Sequence, residues 1–358
     1  MYVFFWVILP AIFSGAGWLL LCRSRSENRF ESQDADLALS MIIPARNEEK
    51  NLKQLLGSLM PQLRAQDECI VVDDHSTDAT ATVVDAHGAK LLKSASLPSG
   101  WTGKTFALHQ GAALAKQEYY VFLDADLTVE AGGLEKIRQC AHRHGVFSML
   151  PYHRVPRWYE QLSLFFQLVM AAGVGAFEHR RIERSPGMFG QAMGIRRDLY
   201  LRIGTHASVK DCVLENFYLA RRLRDEKIAI KNLSGRNILS MRMYPEGFME
   251  LYRGWVKAFA QGASETSALR LSLISLWITG CMAAVVALTM PTPFYWKLFI
   301  YFFYATQVSV YARALGSYKP LASLLFPIPL FFYQVVFFHS LWNKVTGRSA
   351  SWKGRSVG

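Results

Sequence analysis

The chain has little cysteine, and what it has is scattered: Cys22, Cys69, Cys140, Cys212 and Cys281 are an odd five among 358 residues. No CxxC and no Cys/His zinc spacing occurs, which argues against a disulfide framework or a structural zinc. A reducing, cytoplasmic setting for the main domain is the simpler expectation. Glycine-rich nucleotide signatures are also missing. No GxGxxG follows the first strand and no GxxxxGK[ST] appears, so a dinucleotide enzyme or a nucleoside-triphosphate hydrolase has no support. Acids are scarce beside bases, 28 against 40, for a net charge of +12. Such a balance fits nucleic acid, an anionic membrane face or phosphorylated small molecules. No basic aromatic patch or base-reading motif supports nucleic acid. Nothing marks an obligate protein partner, and there is no internal repeat.

Charge is nearly absent from several long runs, in a chain that is 51% apolar. YVFFWVILPAIFSGAGWLLLC, residues 2–22, is long enough to span a bilayer. Its bulky end lacks a small-residue cleavage site, so 1–22 reads as a retained anchor rather than a signal peptide. Arg23, Arg25 and Arg29 follow and place what comes next on the cytoplasmic side. Residues 271–290 and 293–312 read as further spans, and the run 321–342 is interrupted by Pro327 and Pro329. Three full spans would put the basic tail outside, against the charge rule, whereas a re-entrant third run keeps it inside. The expected layout is an anchor at 1–22, a soluble domain at 38–240 and an amphipathic interfacial segment at 244–264. A transmembrane and re-entrant region at 269–342 and a basic tail at 343–358 complete it. Together they predict a multi-pass protein of the cell membrane, in contact with membrane lipid.

Residues 38–240 hold short apolar runs that end in polar clusters. LALSMIIPARNEE, ECIVVDDHSTD, AKLLKS and EYYVFLDADLTVE read as strands. NLKQLLGSLMPQL, DATATVVDAHGAK and GKTFALHQGAALAK read as helices. The βαβαβαβ order, with continuous apolar strands, predicts an α/β fold with a mostly parallel sheet between helices. Ligands bind such sheets at the strands' carboxyl ends, which here carry PARNEE, DDHSTD and DADL.

Asp124 and Asp126 stand at i and i+2 after YYVFL, so on extended chain they face the same way. Two carboxylates there repel unless a cation joins them. Mg²⁺ or Mn²⁺, held by these oxygens and a substrate's phosphates, is the functional expectation; the plainer reading has Asp126 cap a following helix. Asp73 and Asp74 end a second buried strand, where a carboxylate can accept from the N3–H of uracil. Asp78 reads as a cap. Arg46, Asn47 and Glu48 follow Pro44 on the same edge, where Glu48 and Glu49 also suit a helix start. Gly103 and Lys104 open a helix, a natural phosphate site.

IIPARNEE, VVDDHSTD, GKTFALHQG and LDADL, in this order and spacing, resemble family 2 of the inverting glycosyltransferases. The likeness runs on through FGQAMGIRRDLY (189–200) and LENFYLARRL (214–223). PSGWTGK, MLPYHR, YPEGFMELYRGWVKAFAQGA and the terminal SWKGR are similar to a membrane-bound branch with a carotenoid carboxylic acid as acceptor. The resemblance implies a GT-A nucleotide-diphospho-sugar transferase fold with transmembrane helices. It also implies a UDP-sugar donor (UDP-glucose foremost), a divalent metal and a lipophilic acceptor. Pro44, Ala45, Glu48 and Asp73, with Asp74 beside it, would line the uridine site. Asp124 and Asp126 would hold the sugar diphosphate, with the metal mainly on Asp126. The family usually carries Glu-Asp before an LAxRL helix and QxxRW later. Here Asn216 follows Glu215, and Trp255 stands without the Gln and Arg, leaving Lys257 as a replacement charge. The loss of the full QxxRW argues for one sugar per acceptor.

Inverting transfer to a hydroxyl needs a base. Asp211 sits in Ser208-Val209-Lys210-Asp211, a capping-box pattern. Glu215 lies one turn further, and its plainer role is a first-turn acid paired with a later arginine. Both are candidate bases, with Glu215 preferred. A carboxylic acid acceptor is already ionised at neutral pH and hardly needs one. The apolar 158–177 and the amphipathic 247–259 are candidates for the acceptor entrance. His153, His179 and His206 read as structural before phosphate-binding. The competing readings are a polyprenyl-phosphate, hopanoid or sphingolipid-like acceptor, and a membrane protein that binds nucleotide sugar without turnover.

Overall fold

The computed structural model describes residues 4–21, 36–175, 187–212, 214–262, 266–346, 351–352 and 355–356. Cys22, Arg23, Arg25, Arg29 and His179 lie outside the described residues. Helix α1 (Leu9–Leu21) is followed by β1 (Leu39–Ala45), α2 (Glu49–Leu59), β2 (Glu68–Asp73), α3 (Thr80–Ala86) and β3 (Lys90–Lys93). Next come α4 (Gly103–Leu114), β4 (Tyr119–Leu123), β5 (Leu127–Val129), α5 (Gly133–Arg143), β6 (Val146–Leu150) and the short β7 (Tyr152–His153). Helix α6 (Leu164–Val174) precedes β8 (Ala192–Arg196), α7 (Arg197–Arg202), α8 (Glu215–Asp225), β9 (Lys231–Ser234) and β10 (Leu239–Met241). Then come α9 (Phe248–Gly262), α10 (Ala268–Val286), α11 (Phe294–Leu315), α12 (Pro320–Leu324) and α13 (Pro327–Val345).

Two units form. The sheet unit holds Asn28–Tyr152 and Gly187–Arg242; the helical unit holds Met1–Glu27, His153–Pro186 and Met243–Gly358. Residues 153–186, inside the 38–240 span read from sequence, thus fall to the helical unit. Its helix α6 reads LFFQLVMAAGV and is buried on most sides, as a helix packed among helices must be.

In the sheet unit the strand order is β3-β2-β1-β4-β8-β6-β9. The first four strands are parallel. β8 runs antiparallel to both β4 and β6, and β9 runs parallel to β6. β1, β2 and β4 are buried almost throughout, because helices cover both faces of a parallel sheet. β3 is an edge strand and exposes Lys90 and Lys93 at its ends, charges that discourage further pairing. Ile42, Ile70, Val72 and Phe122 pack with Ala107 and Leu108 of α4 in one core. Fully burying such a large side chain contributes roughly 1.5–3 kcal/mol. Helix α4 lies tight on the sheet at Gly111, where an added Cβ would collide with Ile42 and Val72. β1 has β2 on one side and β4 on the other, so the order reverses there. The β1–β4 ladder ends at Ile42↔Phe122, while β1–β2 pairing continues to Ala45↔Asp73. A switch point of this kind is where open α/β sheets place their ligand crevice. Behind the sheet, Arg138 of α5 grips Asp67 with two bonds of 3.0 and 2.7 Å, both side chains closed to solvent.

In the helical unit, Gly17 of α1 lets the Trp277 indole of α10 approach. Trp277 Nε1 donates to Gln307 Oε1 at 2.8 Å, and Gln307 Nε2 donates to the Ser14 carbonyl at 3.0 Å. Phe4–Leu21 and Ala268–Thr289 are long and apolar enough to cross a membrane. Pro327 and Pro329 do not interrupt a helix. The run breaks ahead of them at Leu325 and Phe326, and Pro327 starts α13, a position where its missing N–H costs nothing. The described cysteines Cys69, Cys140, Cys212 and Cys281 are free thiols.

Candidate active site

β4 is five buried residues, YYVFL, and Asp124 and Asp126 begin where it ends. The Asp124 N–H donates to the Gln191 carbonyl at 2.9 Å. Asp126 does not cap a helix: β5 follows it, and α5 begins after Gly132 without a side-chain cap. Its Oδ1 is buried and has no hydrogen-bond partner. Burial raises the Asp124 carboxyl above the usual range, although Lys104 pulls the other way. Asp126 is pushed up to about 7, by burial first and then by the negative charges of Asp124 and Glu48. Asp126 thus resists ionising, and a cation is what would relieve it.

Lys104 stands in the first turn of α4, whose start is fixed by Thr102 accepting from the Thr105 N–H. Its ammonium lies 2.8 Å from Asp124 Oδ1 and 3.1 Å from Glu215 Oε1. Burial works against its charge, but these two carboxylates hold the lysine protonated well above the usual range. Glu215 opens α8 and is buried, where the helix N-terminus favours a negative group. Its partner is Lys104 and not an arginine further along the helix. The start of α4 and the segment before α8 are joined at the Lys210 carbonyl, which accepts from Thr102 N–H at 2.8 Å and Thr105 Oγ1 at 2.9 Å.

The capping box at 208–211 does not form. Thr205 caps a short turn, His206–Val209, and Ser208 Oγ donates to the Thr205 carbonyl at 2.8 Å. No helix begins there for Asp211 to support; its side chain is exposed and accepts the Cys212 thiol at 3.6 Å. Asn216, next to Glu215, donates Nδ2–H to the Met188 carbonyl at 2.5 Å.

The tips of β1 and β2 are stitched together. Ala45 pairs with Asp73, and Pro44 precedes it. Asp73 Oδ1 accepts the Ser76 N–H at 3.0 Å, and Arg46 reaches Asp74 at 3.3 Å. Asn47, in the left-handed region at φ 53°, accepts the Thr77 N–H at 2.8 Å. Glu48 accepts from Asn51 at 2.6 Å, and Asp78 closes its turn on Thr80. The structure therefore gathers Asp73, Asp74, Glu48, Lys104, Asp124, Asp126 and Glu215 at one end of the sheet unit, while Asp211, next to the Lys210 carbonyl that holds the start of α4, is exposed.

Trp255 and Lys257 belong to the helical unit. The Trp255 indole stacks on Phe166 at 4.5 Å and donates to Ser163 Oγ at 3.0 Å. The ring is engaged in packing its own unit. His206 is buried between Phe122 and Tyr200, with Tyr200 Oη 2.7 Å from its Nδ1. His153 is buried with Gln167 Nε2 3.3 Å from its Nδ1, and burial lowers it to about 3. Both are neutral packing residues. Sequence reading singles out neither Gln191 nor the donor role of Asn216. No periodicity or spacing marks a carbonyl that receives a distant N–H.

Among the described residues no three His, Cys, Asp or Glu side chains cluster as a ready metal site. An ion here would rest on two carboxylates and on ligand oxygens, which is the habit of Mg²⁺ rather than of zinc. The buried, unpartnered oxygen of Asp126 suits that chemistry.

A mixed sheet whose parallel half ends in acid-bearing tips, opened by an antiparallel β8, is the GT-A architecture of the nucleotide-sugar transferases. The same fold is seen in a mannosyltransferase from Pyrobaculum calidifontis solved with GDP-Man and Mn²⁺, at a TM-score of 0.54 and 16% identity, over 97% of this chain and 100% of that one. The Glycosyl transferase family 2 profile matches residues 40–201. Relatives named 4,4'-diaponeurosporenoate glycosyltransferase are similar along most of the chain. That of Staphylococcus aureus (strain MRSA252) is 32% identical over 89% of this chain and 88% of its own. That of Staphylococcus haemolyticus (strain JCSC1435) is 34% identical over 71% and 69%. The chain belongs to glycosyltransferase family 2 and is a transferase enzyme.

Proposed function

We propose that this enzyme moves glucose from UDP-glucose to a carotenoid carboxylic acid, one sugar per acceptor, with inversion at the anomeric carbon. The names of the relatives support the acceptor class. The observation that carries the chemistry is the chain Asp124–Lys104–Glu215 beside the unpartnered oxygen of Asp126. One cation there links an acid on the donor side to an acid on the acceptor side.

In this reading Pro44, Ala45, Glu48, Asp73 and Asp74 line the uridine pocket, and Asp73 accepts the N3–H of uracil. Lys104, at a helix N-terminus, meets the diphosphate. Asp126 and Asp124 hold Mg²⁺ or Mn²⁺, which when bound supplies positive charge against the departing diphosphate. The acceptor oxygen bonds to the anomeric carbon as the bond to the phosphate oxygen breaks, and that electron pair leaves on UDP. Glu215 takes the proton where the acceptor is a hydroxyl; an ionised carboxylate brings none. Asp211, exposed and outside any helix, is the weaker candidate base.

Phe4–Leu21 and Ala268–Thr289 hold the enzyme in the membrane, α11 makes it multi-pass, α13 re-enters so that the basic tail stays inside, and the sheet unit faces the cytoplasm. Helix α9, with Arg253 and Lys257, lies among lipid headgroups. The test is UDP release and glucosyl-ester formation from UDP-glucose with 4,4'-diaponeurosporenoate and Mn²⁺. Both are expected to need the carotenoid acid and to vanish in Asp126→Asn. Ester formation by that variant at the wild-type rate would overturn the metal-site assignment, and no ester at all would overturn the acceptor.

A further inference from the structure

Three consecutive residues before β8 are each tied by a side chain from a different element. Asn232 of β9 donates to the Gly187 carbonyl at 3.0 Å, and Asn216 of α8 donates to the Met188 carbonyl at 2.5 Å. Ser148 of β6 accepts the Phe189 N–H at 3.0 Å and donates its own proton to Asn232 Oδ1 at 2.6 Å. The glycines here permit close approach. An added Cβ at Gly187 would meet the Phe217 ring, and one at Gly190 would crowd the Asn216 carboxamide. At the end of the segment the Gln191 carbonyl receives the Asp124 N–H, and Gln191 Oε1 is buried without a partner. Segment 187–191 therefore bridges the start of α8, where Glu215 stands, to the tip of β4, where Asp124 stands.

We propose that Asn216 is a positioning residue for the transfer. By holding the Met188 carbonyl it fixes segment 187–191 against α8 and so sets Asp124 relative to Glu215. A carbonyl accepts, so its partner has to donate. A carboxamide does this, whereas an ionised carboxylate has no proton to give. A carboxylate would also add charge beside Glu215, near Asp124 and Asp126, which already share Lys104 as a counter-charge. The inference rests on the transferase reading above.

Asn216→Asp keeps the size and removes the donor. At about pH 8 its kcat is expected to fall roughly tenfold or more, with a smaller change in donor KM. Glu215 and the neighbouring acids hold an introduced carboxyl above its ordinary value, so lowering the pH towards about 6 is expected to raise the ratio of variant to wild type as part of it regains an O–H donor. Asn216→Ala is expected to lose activity without that recovery. Amide exchange, measured without substrate, is expected to quicken across 187–191 in both variants and to stay unchanged across β1, β2 and β4. Asn216→Asp at or above the wild-type rate, or loosening of 187–191 with no loss of kcat, overturns the positioning role. Unchanged exchange in both variants overturns the anchor itself. The exchange arm does not depend on turnover. A chain that transfers no sugar to any acceptor sinks the transferase reading and the positioning role together, while the exchange result still decides the anchor.

Discussion

The Lys104 ammonium lies 3.1 Å from the buried Glu215 carboxylate. The same nitrogen is 2.8 Å from Asp124, so one lysine balances acids supplied by two distant parts of the chain. Lys104→Met leaves these carboxylates facing one another and, in the proposed reading, removes one positive charge from the diphosphate. Loss of such a preorganised charge is expected to lower kcat at least about a hundredfold, with Lys104→Arg recovering part. UDP release measures it, and a Met variant within a few-fold of wild type would remove Lys104 from the site.

Glu215 and Asp211 separate by burial and by partner. Glu215→Gln is expected to lower kcat on a hydroxyl acceptor by about a hundredfold or more. On an ionised carboxylate acceptor it should cost about tenfold, through Lys104 alone. Asp211→Asn is expected to stay near wild type on both. Steady-state rates on paired acceptors decide it, and the reverse order of the two variants would make Asp211 the base.

Asp126 carries a pH prediction. Its carboxyl is raised to about 7 in the folded chain, against about 3.9 unfolded. Between those values the folded state binds more protons, so metal-free stability falls as pH rises from about 4 to about 7. Asp126→Asn is expected to flatten that slope and to raise Tm above neutral pH. A divalent ion needs the ionised carboxylate, so stabilisation by Mn²⁺ should grow as pH rises through about 7 and disappear in the variant. Melting curves with and without Mn²⁺ across pH test both, and an equal Mn²⁺ shift in the variant takes the ion elsewhere.

Asp67 and Arg138 test the scaffold. Both side chains are shut away from water, 0% and 1% exposed. Removing one partner of a buried pair costs about 3–5 kcal/mol, which urea unfolding of Asp67→Ala should report. Burial pushes the Asp67 carboxyl up, but the Arg138 bond and backbone N–H groups outweigh it and lower it overall. Its stabilisation is therefore complete above the unfolded value near about 3.9 and is lost only as pH falls through the lower folded one.

Trp255 separates packing from donor binding. Trp255→Ala is expected to destabilise the detergent-solubilised protein by about 3–5 kcal/mol. Trp255→Phe keeps a ring on Phe166 but loses the Ser163 bond, about 1 kcal/mol, and some buried volume beside Tyr244. Donor KM in the Phe variant is expected to stay within about twofold; a rise beyond tenfold would return the indole to the donor side.

Most of the sheet was legible from the chain. IIPA, CIVV and YYVFL are continuous apolar runs because strands covered on both faces bury every side chain. Acids directly after them had to collect at one edge, since parallel strands end on the same side. The antiparallel β8 was not legible, because AMGIR reads alike in either direction. Nor was the partition of α6, since an apolar helix does not say which neighbours surround it.

By itself the sequence determined the family, the acid-tipped strands and the apolar helices, because those follow from local pattern and period. Only the tertiary structure decided what each of these side chains touches. It buried Glu215 on Lys104, left Asp211 in water, denied Asp126 Oδ1 a partner and turned Asn216 towards the Met188 carbonyl. Pairings between residues far apart in the chain depend on where backbones cross, and that information is spread over the whole core rather than held in any one motif.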